Sequence, residues 1–482
     1  MNGPDFERVP GTPVSPISIS PQPFCHIELP CYEGPDGRGP GIVSITEEAL
    51  KRHIFVAGAT GAGKTTLLRA IMRELIASQA HDEDRKVGLV VLDFKGDDTP
   101  AFVKAAAAAV GRESDVRVLS LESPVAYDFF GDCRSLGDVT EFAQRLVFGC
   151  GRVETHDNFW DEYRNGLLAA ALTWLTLNHA DDRTFSTWIS HASSWLLADS
   201  MPAALDEDLQ LFRTRCESMA NGSPERIGTQ HALQLIGDWE RGMDFRTRAN
   251  VKATLHLALR PLLEPPVLRL FRAVRSRKFR VASAVERGRI LVVSIRSFLH
   301  PELASLVGRC VKADYYKSVF SRKPGGRLAM LVGDEFHLAV TSGNTRYDDC
   351  HALPLMRAQN AGLIAATQTL AGIDRVIGNL NRRVLVGNFG TVFYFRSTEA
   401  EIDGWAQQAC GSREIDVSER VRVRDSRMAG GLAEGYERIV TRKERRAVCG
   451  PGMLARLEPG QAYLLQEGLM PSPFPIWVAG EP

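Results

Sequence analysis

The 482-residue sequence predicts an α/β fold, with a mainly parallel sheet and helices on its faces, interrupted by an inserted all-α domain. Three observations carry that expectation. Between residues 42 and 150, short apolar runs alternate with helical periods, as in successive βαβ units. From Asn158 to about Leu270 the apolar residues fall at three- and four-residue spacing, with Phe159, Tyr163, Leu167, Ala170 and Trp174 on one helical face. Strand-length apolar runs then resume at 289–295, 328–332, 363–366 and 392–395.

Taken in order, residues 1–40 are rich in proline (Pro10, Pro13, Pro16, Pro21, Pro23) and read as an extended or disordered arm. Residues 41–150 form the first part of the core. The run Ile54–Ala57 is a buried strand, and a helix follows it through Ala77. A strand at 87–92 ends in Asp93-Phe94-Lys95-Gly96-Asp97, an alanine-rich helix spans 101–110, and a further strand lies at 116–121. Residues 151–272 are the all-α insert, and 273–482 return to the core and end in a basic segment.

Between the first strand and its helix stands Gly58-Ala59-Thr60-Gly61-Ala62-Gly63-Lys64-Thr65, a complete G-x-x-x-x-G-K-T phosphate loop continued by Thr66. The glycines accept backbone angles other residues resist, so successive N–H groups point inward at a helix N-terminus, where the dipole favours anions. Lys64 reaches the β- and γ-phosphates of ATP, and the Thr65 hydroxyl ligates Mg²⁺.

Triphosphate hydrolysis needs acids, and the apolar run 328–332 leads through Gly333 into Asp334 and Glu335. Asp334 is assigned to the Mg²⁺ shell and Glu335 to the attacking water. The strand 363–366 runs into Thr367-Gln368, and a glutamine there can contact both the γ-phosphate and that water. His337, just past the acids, reads as a packing residue rather than a ligand.

Composition limits the alternatives. Lysine plus arginine and aspartate plus glutamate both total 58, so no global field draws a polyanion and any nucleic acid must meet a local patch. Nine cysteines stand singly with no C-x-x-C pair, which excludes a zinc ribbon and suits a reducing compartment. No secretory leader or spanning stretch is legible; the most apolar helical run, 166–177, is too short to cross a bilayer. A cytoplasmic protein is expected, peripheral at most to the inner membrane.

The ordered set GATGAGKT (58–65), LDFKGD (92–97), GDEFH (333–337) and AATQ (365–368) resembles the coupling ATPases of conjugation and type IV secretion, in the FtsK–HerA branch of RecA-like motors. The insert opening Asn158-Phe159-Trp160-Asp161-Glu162 and the stretch 387–397 also resemble that family, whose members commonly carry Asp-Pro-Lys-Gly at 93–96. The resemblance implies a RecA-like core, a hexameric ring and a cargo of DNA or nucleoprotein. It implies a relaxase or secretion-machine partner, and an arginine that reaches the neighbouring subunit's γ-phosphate. Arg357 matches the finger position and Arg396 is the alternative. The resemblance places Lys95 and Asp97 near the nucleotide or the subunit contact, on a strand expected beside the phosphate-loop strand; a solvated loop pair is the competing reading.

Two cation-rich runs suit a polyanion: 269–280, with six cations and no acid, and 420–446, with nine cations against four acids. No base-reading motif is present, so DNA binding without sequence preference is expected. An ATP-gated receptor for protein cargo, and a DNA translocase of repair or defence, stay open as alternatives.

Overall fold

A computed structural model describes residues 26–31, 41–127, 203–241, 244–259, 264–265, 268, 270, 278–342, 348–423, 436–467 and 476–477. An antiparallel pair, β1 (His26–Cys31) and β2 (Gly41–Thr46), leads into α1 (Glu47–Lys51), and β3 (Ile54–Ala57) feeds the phosphate loop and α2 (Lys64–Ala77). Then come β4 (Gly88–Asp93), α3 (Thr99–Ala109), β5 (Val116–Leu119) and the short β6 (Ala126–Tyr127). The described part of the insert is helical: α4 (Ala203–Ser218), α5 (Pro224–Arg241) and α6 (Phe245–Leu259). The core resumes with β7 (Lys278–Phe279), α7 (Val281–Arg287), β8 (Ile290–Ser294), α8 (Pro301–Ser321) and β9 (Ala329–Gly333). It continues through α9 (Asp349–Met356), β10 (Ala361–Thr367), α10 (Leu370–Val386), β11 (Thr391–Phe395) and α11 (Ala400–Cys410). A long hairpin of β12 (Ser412–Val423) and β13 (Tyr436–Ala447) precedes β14 (Gln461–Gln466) and β15 (Ile476–Trp477).

Nine strands form one sheet in the order β15-β14-β11-β3-β10-β9-β4-β8-β5. The seven strands from β11 to β5 are parallel, and β14 and β15 close one edge in antiparallel fashion. Side chains alternate across a strand, so neighbours in sequence enter different cores. Ile54 and Val56 join α2, α3 and the β1–β2 pair on one face. Phe55 and Ala57 join α7 to α11 and the described insert helices on the other. Both faces are covered, which is why β3, β4, β9, β10 and β11 are apolar runs buried at every position.

Several expectations need correction. Residues 26–31, placed in the extended arm, form β1, and Ile27 and Leu29 are buried against α2. The rest of 1–40, the insert between 128 and 202 and the cationic residues 271–277 lie outside the described residues. The strand ending in Asp93 is not beside the phosphate-loop strand: β10 and β9 stand between β3 and β4. A strand's neighbours in a parallel sheet are set by crossovers, which local sequence does not record. The parallel pairing of β6 with β7 shows that the chain leaves and re-enters the core at one place.

His53 fixes the start of β3. Its Nε2 donates to the Leu353 carbonyl (2.9 Å) and its Nδ1 accepts from the Leu363 N–H (3.1 Å), so one neutral ring ties β3 to α9 and β10. Burial pushes its pKa down from 6.5 to about 4. The unfolded chain therefore takes up this proton first, and the stabilisation is full above 6.5 and lost as pH falls toward 4. His53→Asn removes the titrating ring and tolerates the left-handed φ of 65°. The parent should lose about 2 kcal/mol more than this variant between about pH 7 and about pH 5, measured by denaturant unfolding. Equal losses would show that His53 is not the acid-sensitive group.

Candidate nucleotide site

The phosphate loop is held on three sides by backbone. The Gly58 N–H donates to the Thr367 carbonyl (3.3 Å), the Ala59 N–H to the Arg396 carbonyl (2.7 Å), and the Gly460 N–H to the Ala62 carbonyl (2.9 Å). Gly63 has φ 109°, and a Cβ there would lie 3.0 Å from the Gly460 nitrogen; at Gly58 it would lie 2.6 Å from the Phe395 Cβ. One glycine answers a backbone angle and close approach, the other close approach alone. α2 starts without a side-chain cap, so no cap side chain competes with an anion for its first N–H groups. Lys64 is buried and donates to the Gly58 (2.7 Å) and Ala59 (2.9 Å) carbonyls, its pKa lowered by burial.

Two strands away, β9 delivers the acids. Asp334 Oδ2 accepts from the Thr65 hydroxyl at 3.2 Å, and Asp334 Oδ1 from the Glu335 N–H at 3.0 Å. Glu335 is a non-glycine residue in the left-handed region (φ 54°), a conformation that costs about 1 to 2 kcal/mol and turns the chain sharply after β9. Its Oε1 accepts from Gln368 Nε2, while its buried Oε2 has no hydrogen-bond partner. Gln368 Oε1 in turn accepts from the Thr60 hydroxyl at 2.7 Å. Gln368 thus links the phosphate loop to the acid pair. Its place is fixed by the α10 start, where Thr369 caps Gly372 and the Glu399 carboxylate accepts from the Leu370 and Ala371 N–H groups.

The residue whose role sequence reasoning left open is Lys95. Its ammonium donates to Asp334 Oδ2 (2.7 Å) and Thr65 Oγ1 (3.1 Å) and stands 3.6 Å from Glu335 Oε1. Burial opposes its charge, but the adjacent Asp334 and Glu335 outweigh that and raise its pKa. Asp97, named with it, faces away: it accepts from the Thr99 N–H (2.9 Å) and lies 3.8 Å from Arg69 of α2. His337 packs with Nδ1 3.6 Å from Glu335 Oε2, and burial lowers its pKa.

The two arginines occupy different places. Arg396 follows β11 beside its own phosphate loop, which its carbonyl helps to hold. Arg357 precedes β10, a strand about 20 Å long, so it sits at the opposite edge from its own loop. Its half-exposed guanidinium pairs with Glu48 at 2.5 Å.

The donor set fits Mg²⁺ with a triphosphate. Thr65 and Asp334 offer two hard oxygens side by side, the small protein contribution that Mg²⁺ takes in such sites, and Glu335 Oε2 is free to accept from a water. The fit of Ala59, Thr60, Ala62 and Thr66 to phosphate rests on their place in the loop and the first turn of α2.

Residues 39–196 match the family model of the type IV secretion-system coupling protein DNA-binding domain. Among solved structures, the unbound conjugative coupling protein TrwBdeltaN70 is 19% identical with a TM-score of 0.60, over 89% of this chain and 85% of that one. The plasmid coupling protein TrwB with the GTP analogue GDPNP is 20% identical with a TM-score of 0.59, over 91% and 87%. TrwB with ADP and Mg²⁺ is 19% identical with a TM-score of 0.58, over 90% and 86%. No curated protein sequence matches the chain. Among the described residues no helix is long and apolar enough to cross a membrane. With the phosphate loop, acid pair and Gln368 on one edge of a mainly parallel sheet, and the coupling-protein domain matched over 39–196, the chain has the RecA-like P-loop fold of the conjugative coupling proteins it resembles.

Proposed function

We propose that this chain hydrolyses ATP in a ring of identical subunits, as a hexameric motor, and uses the energy to move DNA or nucleoprotein for conjugative transfer. The observation that carries the reading is the hydrogen-bonded chain Thr60–Gln368–Glu335 beside the Thr65–Asp334 pair. Thr65 and Asp334 would hold Mg²⁺, which when bound would neutralise charge on the phosphates. Lys64 leaves the loop carbonyls for the β- and γ-phosphates. Glu335 Oε2 accepts a proton from the attacking water, and Gln368 reports whether the γ-phosphate is present through its bonds to both sides of the pocket. Arg357 would act on a neighbour's nucleotide, a role that its distance from its own loop and its half-exposed guanidinium support. Arg396 is the alternative finger.

DNA is favoured over protein cargo by the family model, which describes a DNA-binding domain, and by the β12–β13 ribbon. The ribbon pairs twelve residues of each strand, and β13 exposes Arg442, Lys443, Arg445 and Arg446. A two-stranded ribbon open to solvent is marginally stable alone and gains from a partner. Its base also leads back to the nucleotide. The Val448 N–H donates to the Gly411 carbonyl, and the same segment ends at Gly460 against the phosphate loop. A pull on the ribbon therefore has a short covalent route to the site. The relaxase or secretion-machine partner belongs to the same reading and would meet the insert.

Lys64→Ala should abolish nucleotide binding, whereas Glu335→Gln should bind ATP and turn it over slowly. Arg357→Ala should also bind normally and lose turnover by roughly 10³-fold. Mixing Arg357→Ala with Lys64→Ala subunits should restore part of the activity, because some interfaces then pair an intact loop with an intact arginine. Parent-rate hydrolysis by Glu335→Gln would contradict the assignment of the base, and no recovery in subunit-exchanging mixtures would contradict the ring.

The cargo has its own test. Removing Arg442, Lys443, Arg445 and Arg446 together should weaken binding of unrelated DNA sequences equally. Each lost phosphate contact should flatten the slope of log K against log salt by about 0.7 to 0.9. A parent that binds no DNA, or a variant with the parent slope, moves the function to a protein-cargo receptor.

A further inference from the structure

Resting on the ATPase reading above, we infer that Lys95 is a placeholder cation. Its ammonium occupies the Mg²⁺ position, holds the two metal ligands at ligating separation, and is exchanged for the metal when the nucleotide arrives.

The geometry supports each part. Thr65 Oγ1 and Asp334 Oδ2, the two oxygens assigned to the metal, both accept from Lys95 Nζ, at 3.1 and 2.7 Å. They stand 3.2 Å apart. Two adjacent ligands of an octahedral Mg²⁺, each at about 2.1 Å, lie about 3 Å from one another. The ammonium therefore keeps the pair spaced as the metal needs it. The lysine and the metal also compete for the same lone pairs, so one excludes the other.

The turn that presents Lys95 is built. The buried Asp93 carboxylate accepts from the Lys95 (3.2 Å) and Gly96 (3.1 Å) N–H groups through Oδ1, and from the Ser294 hydroxyl (2.8 Å) through Oδ2. Gly96 takes φ 63°, and a Cβ there would meet the Arg296 side chain at 2.3 Å. The backbone is fixed while the four-carbon stem, about one-third exposed, is free to swing.

Charge explains why a cation belongs there. Asp334 and Glu335 are nearly buried and adjacent, and Lys64 alone would leave the group with a net negative charge. Lys95 makes two cations against two carboxylates. The ammonium already stands 3.6 Å from Glu335 Oε1, so a swing away from Thr65 and Asp334 toward that carboxylate keeps its charge in the pocket. Lys95 is thus a positioning residue for the metal ligands and a source of charge when the metal is withheld.

The test is the metal dependence of ADP binding by the full chain, with a fluorescent ADP in Mg²⁺ and in EDTA. Lys95→Gln should bind ADP in Mg²⁺ at least as tightly as the parent. In EDTA it should bind about tenfold or more weakly, the scale of a lost charge-assisted hydrogen bond. Lys95→Arg should keep the affinity in EDTA. An equal loss in both conditions, or none in either, overturns the placeholder role while leaving the nucleotide site intact. A parent that binds no ADP in either condition sinks the ATPase reading and this one with it. Should Lys95→Gln fail to fold, the parent alone decides through its thermal melt. Mg²⁺ without nucleotide should leave the melting temperature unchanged, and a clear rise would show that the metal takes the oxygens unopposed.

Discussion

The position of β10 between β3 and β9 is the constraint from which the rest of the site follows. Parallel strands place all their carboxyl ends on one edge, and the order β3-β10-β9-β4 lines up the phosphate loop, Gln368, the acid pair and Lys95 along it. Because β10 is inserted, the two acids meet the phosphate loop differently: Asp334 accepts directly from the Thr65 hydroxyl, whereas Glu335 is joined to Thr60 through Gln368, with one hydrogen bond to each side. The burial of every residue in β3, β9 and β10 makes this spacing rigid, since shifting any strand by one residue would send its side chains into the wrong core.

Electrostatics sets the second layer. The site gathers Asp334 and Glu335 against Lys64 and Lys95, all at least partly buried, so no one of them can be neutralised or removed without leaving another charge exposed to a low dielectric. Glu335 adds a local cost, its left-handed backbone, which the bonds from Gln368 and the packed 3₁₀ turn 336–338 offset. That strain aims the carboxylate along the sheet edge, with Oε2 free.

Much of this was legible in the residues, and the failures have physical reasons. The strands β3, β4, β8, β9, β10 and β11 are apolar runs bounded by turns, so their existence and the residues at their carboxyl ends could be read within a residue or two. Gln368 and Glu335 were identified as separate candidates, but their hydrogen bond spans 33 residues and depends on the β9–β10 pairing. The neighbour of β3 was misjudged because crossover order leaves no local signal. For Lys95 the resemblance pointed to the nucleotide while a solvated loop stayed open, because Lys-Gly-Asp-Asp is polar on every side; the path of β4 beside β9 brings it to Asp334. The β12–β13 ribbon was read only as a charge run, because its arginines and lysines dominate, although Ile415, Val417, Val421 and Val423 of β12 carry strand alternation. β1 was hidden by the proline-rich composition around it, although Ile27 and Leu29 carry the alternation of a half-buried strand.

The central claim is that three distant segments, 58–65, 93–95 and 334–368, form one site for a metal-bound triphosphate. A crystal structure with Mg²⁺ and a non-hydrolysable ATP analogue tests it most directly. The account predicts the metal between Thr65 Oγ1 and Asp334 Oδ2, a water between Glu335 Oε2 and the γ-phosphate, and Gln368 in contact with that phosphate. Nucleotide bound with Asp334 and Glu335 turned away from it, or seated outside the phosphate loop, would contradict the account.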